Sequence, residues 1–286
     1  MTVRCFFLSI LCAISASAQF TPMFLQNGSY WGDGKSEVDF YDAEFIRDGQ
    51  PRKCELMMIF TPKFVDPTSF ADVDPKQTGA LAAIQMHAFA TVPRGIVAEE
   101  SSINALWRMD SMSLARLSFA GTDGLGQMIK TFLETRIEQT VAWKYSADTY
   151  RGKIDNQNIA APKTAAIFSD ELPLRVRMID FSKNSGDFDI QLAGTFASPQ
   201  KESSAFKPAK LSWKIGEREI AVEIKQDSGS DHFVLDRDFP FLLREWRMAD
   251  GSRLKMKNSI KVDYRNYLKN GDRERALKDP MLRHPD

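Results

Sequence analysis

Six dipeptides punctuate this chain: Asn27-Gly28, Asp33-Gly34, Asp48-Gly49, Asp123-Gly124, Asp250-Gly251 and Asn270-Gly271. Each couples a short polar side chain with glycine, the combination that tolerates φ > 0 and closes tight hairpins. Ser185-Gly186 and Ser228-Gly229 add two weaker signals of the same kind. Short segments between such turns predict antiparallel strands. Periodicity agrees. From Arg253 to Tyr264 the even positions carry Leu254, Met256, Ile260, Val262 and Tyr264, with Asn258 the exception, and the odd positions are polar. Strict alternation predicts one dry face and one wet face. A strand this long exceeds the usual five or six residues, which fits a curved wall. Leu211, Trp213 and Ile215 alternate, Gly216-Glu217 breaks the pattern, and Ile220, Val222 and Ile224 resume it on the other parity, which predicts a hairpin. Ile137, Val141, Trp143 and Tyr145 alternate likewise.

The fold class expected is mainly β: an antiparallel, curved sheet or barrel-like protein with one or two short helices. Two segments are ambiguous. Asp170 is placed to cap a helix through Ile179, yet the same residues alternate, and Ala80–Phe89 reads as either helix or buried strand. Ser198–Pro208 reads as a long loop. The end, from Asp272, reads as a short helix and a loose charged tail.

The first residues form an address. Arg4 is a short positive region, Cys5–Ile14 is apolar, and Ala16-Ser17-Ala18 is a small-x-small cleavage signal before Gln19. That is the layout of a secretory signal peptide. The apolar run is shorter than the roughly 20 residues a membrane helix needs. The division expected is therefore 1–18 signal peptide, 19–270 one β-rich domain, and 271–286 a charged tail. The protein is expected to be exported, periplasmic or extracellular, and not transmembrane. A lipid anchor on Cys12 is disfavoured, because Leu11 precedes it and it lies within the apolar run. After cleavage only Cys54 remains, so an intramolecular disulfide is excluded. Cys54 reads as a buried small hydrophobe, with a reactive thiol or an intermolecular disulfide as the alternatives.

Most chemistries lack their residues. The 38 basic and 38 acidic residues cancel, which argues against a nucleic-acid partner. His87, His232, His284 and Cys54 are isolated, so neither a zinc site nor a nucleophile–base pair has its spacing. Gly121–Gly126 lacks the Lys-Ser/Thr of a phosphate loop and reads as a hairpin turn. No cofactor or metal is expected. Candidate ligand-binding residues are Trp31, Asp33, Lys35, Glu37, Trp143, Trp213 and Trp246. Aromatic rings offer stacking or apolar surface, and Asp33 with Glu37 offers paired acids. A basic strand face, Arg253, Lys255, Lys257 and Lys261, is a candidate for anionic lipid headgroups or cell-wall polymers.

Tyr30-Trp31-Gly32-Asp33-Gly34-Lys35-Ser36-Glu37-Val38, then Arg52-Lys53 and the strand Leu56–Phe64, resemble the opening of a group of uncharacterised exported bacterial proteins with a Trp-x-Asp-Gly-Lys-x-Glu motif. Phe239-Pro240-Phe241, Trp246, Arg253–Lys261 and Asp263-Tyr264 resemble that family's closing segment. The family's central Glu-Trp-Cys-Gly-Gln is echoed only by Leu125-Gly126-Gln127, and its closing Tyr-Trp is Tyr264-Arg265. The resemblance implies an exported, β-rich unit and no particular activity. At the level of fold the C-terminal half also resembles periplasmic half-barrel proteins, some of which handle lipids. Two functions are carried forward. The first is a non-catalytic exported protein binding an apolar or envelope-associated ligand or partner. The alternative is a carboxylate-dependent hydrolase acting on carbohydrate. A binder needs an apolar cavity, expected to be lined by Trp143, Trp213 and Phe side chains; a hydrolase needs two acids facing one cleft.

Cleavage between Ala18 and Gln19 is the expected processing event, and intact-mass measurement of the exported form checks it. A retained leader or a lipidated Cys12 contradicts it.

Overall fold

The computed structural model of this chain describes residues 20–137, 140–150, 155–162, 165–194 and 205–283. The leader with Cys5 and Cys12, His284 and most of the Ser198–Pro208 loop lie outside the described residues. Fifteen strands form one sheet. They are β1 (Ser36–Arg47), β2 (Gln50–Val65), β3 (Leu81–Arg94), β4 (Val97–Arg108), β5 (Leu114–Thr122), β6 (Gln127–Ile137), β7 (Thr140–Thr149) and β8 (Asp155–Ala160) in the first half. The second half holds β9 (Ala166–Phe168), β10 (Ser185–Ala193), β11 (Lys207–Ile215), β12 (Glu219–Gln226), β13 (Gly229–Asp236), β14 (Leu243–Arg247) and β15 (Arg253–Val262). The order runs from β8 down to β1, then β15 down to β9, so each half is a meander and β1 meets β15 at the join. Every pairing is antiparallel except β9 with β10. The sheet is curved and does not close: β8 and β9 are its two edges.

Three of the six dipeptides close hairpins as the sequence predicts: Asp48-Gly49, Asp123-Gly124 and Asp250-Gly251. Asp48 and Gly49 have φ of 53° and 70°, the two positive values of the tightest hairpin, between Arg47 and its partner Gln50. Asn27-Gly28, Asp33-Gly34 and Asn270-Gly271 lie beside short helices and close no hairpin, and Ser185-Gly186 lies within β10. Asn27 instead caps α1 (Gly28–Trp31), its side chain accepting the Tyr30 N–H at 3.1 Å. The β11–β12 hairpin pairs Trp213 with Val222 and Ile215 with Ile220. The Ile137–Tyr145 alternation spans two strands, with Ile137 of β6 opposite Thr140 of β7. Ala80–Phe89 resolves as strand, within β3.

One concave face is the core. Along β1 the inward residues are Glu37, Asp39, Tyr41, Ala43 and Phe45; opposite them on β2 stand Phe60, Met58, Leu56, Cys54 and Arg52. Inside the curve runs residues 169–178: a 3₁₀ turn (Ser169–Glu171), α2 (Leu172–Arg175) and a second 3₁₀ turn (Val176–Met178). Every residue from Asp170 to Ile179 is buried. A helix dry on all sides presents no polar face to report its period, which is why the alternatives tie on pattern. Phe168, just before it, packs on Phe132 of β6 and Trp143 of β7 at ring distances of 4.6 and 5.3 Å, so the two halves of the sheet meet through its interior.

The strand from Arg253 departs from the expected alternation. Phe40 pairs with Asn258 but Tyr41 pairs with Met256, so Lys257 is a bulge. Before it, Leu254 packs in the main core. After it the faces exchange: Ile260 and Val262 turn outward, into a second apolar cluster with Val38, Phe40 and Ile59. Helix α3 (Asp272–Lys278) covers that cluster with Ala276 and Leu277. The odd residues Ser259 and Lys261 then face inward, instead of being solvated with Arg253, Lys255 and Lys257.

Ile260→Asp places a charge under α3 and is expected to cost several kcal/mol. Lys257→Ala, at the exposed bulge, is expected to cost roughly 0.5 kcal/mol or less. Urea midpoints compare them; equal midpoints would contradict the two-faced strand.

Candidate functional site

The concave face ends in two chemically different regions. Glu37 and Arg47 stand ten positions apart along β1, a span of roughly 33 Å.

At the Glu37 end the interior is polar, dry and closed. Arg177, 1% exposed, donates to Glu37 Oε1 and Oε2 from its two terminal nitrogens at 2.6 and 2.8 Å. It also donates to the Pro240 carbonyl at 3.1 and 3.0 Å. Its guanidinium lies 4.7 Å from the Phe24 ring centre and 5.3 Å from that of Phe60. Burial works against the Arg177 charge, but Glu37, Tyr30 and Asp39 outweigh it and leave its pKa above the ordinary value. The Tyr30 hydroxyl donates to Glu37; burial first, and then that carboxylate, push Tyr30 upward, so it stays neutral. Asp39, two residues along the same face, accepts from Ser259 at 2.5 Å and from Tyr41 at 3.3 Å. Burial, then the Glu37 charge, raise its pKa well above the usual carboxylate range. Lys261 closes the outer side: it donates to the Tyr30 carbonyl and, at 2.8 Å, to Asp33, and lies 4.2 Å from the Tyr30 ring centre. The Trp31 indole donates to the Phe24 carbonyl at 2.8 Å.

Four of the sequence candidates, Trp31, Asp33, Glu37 and Lys261, therefore do converge, but as a structural joint. Glu37 is 0% exposed and held by Arg177, and Asp33 is paired with Lys261. These two acids do not face one cleft, so this pair does not supply the geometry the hydrolase reading needs. Lys35 is exposed beside them.

At the Arg47 end lies a cavity of about 450 Å³. Its walls are Leu56 and Met58 of β2, Met86, Ala88 and Ala90 of β3, Ile103 of β4, Trp246 of β14 and Leu254 of β15, with Pro173 of α2 across from them. The space exists because β3 presents small side chains inward at Ala88 and Ala90, while α2 enters the curve without filling this end. The mouth is charged and self-paired. Arg47 donates to Glu99 at 3.1 Å and Arg94 to Asp48 at 2.7 Å. Asp170, Asp231 and Asp250 complete the rim. Asp231 accepts the Ala249 N–H at 2.9 Å, and burial raises its pKa.

The cavity's aromatic wall is not the expected one. Trp246 lines it, stacked on Phe233 at 5.1 Å. Trp143 is packed against Phe168 and Phe206, and Trp213 against Phe188, as core. A side chain on Gly186 would collide with the Trp213 ring, its Cβ falling 2.2 Å from the ring edge. The basic strand face is largely neutralised: Arg253 pairs with Glu44 at 3.3 Å, Lys255 stands opposite Glu245, and Lys257 lies 3.8 Å from Asp42 and 3.9 Å from Glu55. Cys54 faces the core, half-buried, and burial pushes its thiol up to about 11, which disfavours a thiolate. His87 lies on the opposite face, with Ser102 at 2.8 Å, so it cannot serve Cys54 as a base. Among the described residues no cluster of three His, Cys, Asp or Glu is placed to hold a metal, and no helix is long and apolar enough to cross a membrane. Sequence reasoning missed Arg177, Arg47, Glu99 and the place of the cavity. Only Arg177 left a trace, as one of two arginines, with Arg175, in an otherwise apolar run.

Neither family models nor curated proteins match this chain. Among solved structures it is similar to a beta-barrel-like protein of a domain of unknown function, DUF1849, from Brucella abortus. The TM-score is 0.45 at 9% identity, over 79% of this chain and 97% of that one.

Arg177→Met leaves Glu37 buried without its partner and is expected to cost about 3–5 kcal/mol; adding Glu37→Gln is expected to restore part of it. Chemical denaturation measures both. Asp39 sets a pH dependence. Its native pKa is raised, so its contribution is fully present below the unfolded value of about 3.9 and declines as pH rises toward the native one. Asp39→Asn is expected to flatten that decline above about pH 4; an unchanged stability profile contradicts the assignment.

Proposed function

We propose that this chain is a non-catalytic, exported binding protein whose interior cavity takes an apolar ligand from the cell envelope. One observation carries the reading: a space of about 450 Å³ with an apolar wall, opening past a charged rim, inside the curve of the sheet. That volume lies within the roughly 300–1,000 Å³ of small-molecule sites. The chemistry of the wall fits the same reading. Leu56, Met86, Ile103 and Leu254 offer no directed polar group, so they reward burial of hydrocarbon in proportion to area. Met58 and Met86 add side chains that adapt to irregular ligands. A leader for export, expected from the first eighteen residues, would bring the protein to where such ligands are found.

N-phenylnaphthylamine, a neutral apolar fluorophore, provides the test. Its fluorescence is expected to rise on mixing with the protein and to saturate at one equivalent. Ala88→Phe fills the cavity and is expected to abolish that rise while changing stability by no more than about 1–3 kcal/mol. Undiminished binding by Ala88→Phe would place the fluorophore elsewhere and overturn the reading.

A further inference from the structure

Beside the cavity mouth, three strand ends come together and expose an apolar ridge. Ile96 stands at the apex of the β3–β4 hairpin and is fully exposed; Leu125, at the apex of the β5–β6 hairpin, is 77% exposed. Val97 and Tyr150, the residue after β7, are 40% and 38% exposed. Glycines let these ends pack on one another. A Cβ on Gly124 would fall 2.7 Å from the Val97 side chain, and one on Gly126 would fall 2.3 Å from the Tyr150 ring. The Tyr150 hydroxyl donates to Asp123 at 2.7 Å. Val97, Leu125 and Tyr150 are thereby gathered on one edge, with Ile96 next to Val97 in the chain. Exposed apolar residues scattered singly mean little, but a contiguous row is a contact surface. The row adjoins the cavity, because Arg94 and Glu99, on either side of the β3–β4 turn, belong to its rim.

We propose that this ridge docks the protein on a neutral, zwitterionic lipid bilayer, its four side chains entering the boundary between headgroups and acyl chains with the cavity mouth beside them. The inference rests on the reading of the cavity as an apolar-ligand site, and it supplies the surface from which such a ligand passes. Area favours lipid over a protein partner or a second copy. Four side chains on strand ends expose far less than the roughly 800 Å² per partner of a stable protein interface. Shape favours it too: fluid lipid closes round a projecting tip such as Ile96, where a protein would need a matching socket. Tyr150 adds an aromatic ring of the kind that gathers at headgroup level. The charges beside the ridge are already answered, which lowers the cost of drying them. Arg94 pairs with Asp48 at 2.7 Å and Arg47 with Glu99 at 3.1 Å, while Asp123 accepts from Tyr150 and, at 3.0 Å, from the Leu125 N–H. Among the described residues the other exposed charges on these strand ends are Glu100 and Asp148, both acidic, so a neutral surface fits better than an anionic one.

Flotation with phosphatidylcholine vesicles tests the assignment. The wild-type protein is expected to float with them equally at low and high salt. Ile96→Asp and Leu125→Asp are each expected to weaken partitioning about tenfold or more, the worth of one exposed Ile or Leu side chain withdrawn from water. Neither residue lines the cavity, so without vesicles both variants are expected to bind N-phenylnaphthylamine as the wild type does, which also reports that they are folded. Ile96→Trp is a second measurement: its added indole fluorescence is expected to be quenched by brominated phosphatidylcholine. The proposal is overturned if the wild type does not float, if both aspartate variants float undiminished, or if flotation needs phosphatidylglycerol and disappears in high salt. A dimer that either aspartate variant dissociates also overturns it, by assigning the ridge to a second copy. If the fluorophore binds and the vesicles do not, the ridge assignment fails and the apolar cavity stands. If the vesicles bind and the fluorophore does not, the cavity reading fails and the docking surface stands.

Discussion

The pairing of Arg177 with Glu37 fixes how this sheet can curve. Arg177 belongs to the segment running inside the concave face, Glu37 to the strand at the join of the two meanders, and the two are 140 positions apart in sequence. Neither charge is tolerable there alone, since an unpaired buried ion costs several kcal/mol even after relaxation. The bidentate contact therefore sets where the interior segment enters and how deep it sits. A second anchor acts along the same segment. Glu171 accepts from the Trp107 indole at 2.9 Å, from the Phe168 amide at 2.9 Å and from Arg175 at 3.0 Å. Held to β1 and β4 in this way, the segment fills one end of the curve with Leu174, Val176 and Met178 and stops short of the other. The cavity is what remains.

The joint also explains the motif near the N-terminus. Asp33, Lys35 and Glu37 look like exposed chemistry in the sequence, next to a Trp. In the fold Glu37 is the counter-ion of Arg177, Tyr30 donates to it, and Lys261 ties Asp33 and the Tyr30 carbonyl to β15. A residue set that closes one end of a curved sheet has as strict a chemical requirement as a catalytic one.

The bulge at Lys257 links this joint to the outer surface. By shifting the register one residue, it lets Ser259 and Lys261 reach Asp39 and Tyr30 inside, while Ile260 and Val262 go outward to meet α3. A single extra residue gives one strand two dry faces. Without it, either the lysine or the isoleucine would sit in the wrong medium.

The sequence by itself determined the class of this fold. Asp-Gly turns and period-two runs are local properties, set by which residues tolerate positive φ and by the alternation of side chains along a strand, so they are legible without knowing what packs on what. Hairpins such as β11–β12 followed directly. The remainder depended on contacts between distant residues. Asp170–Ile179 is buried on every side and Ala80–Phe89 carries only Gln85 and His87 to mark its outer face, so their periodicity alone does not separate helix from strand. Trp143, Trp213 and Trp246 are alike as letters, and of the three the cavity at the Arg47 end is lined by Trp246, because that space depends on Ala88 and Ala90 of β3 and on where α2 ends. The alternation of Arg253–Tyr264 was read as one wet face because a bulge is invisible in a sequence; it is decided by the register with β1. Local backbone preference thus specified strands and turns, while the placement of charge and empty space was left to tertiary packing, where long-range pairing decides which buried groups are satisfied.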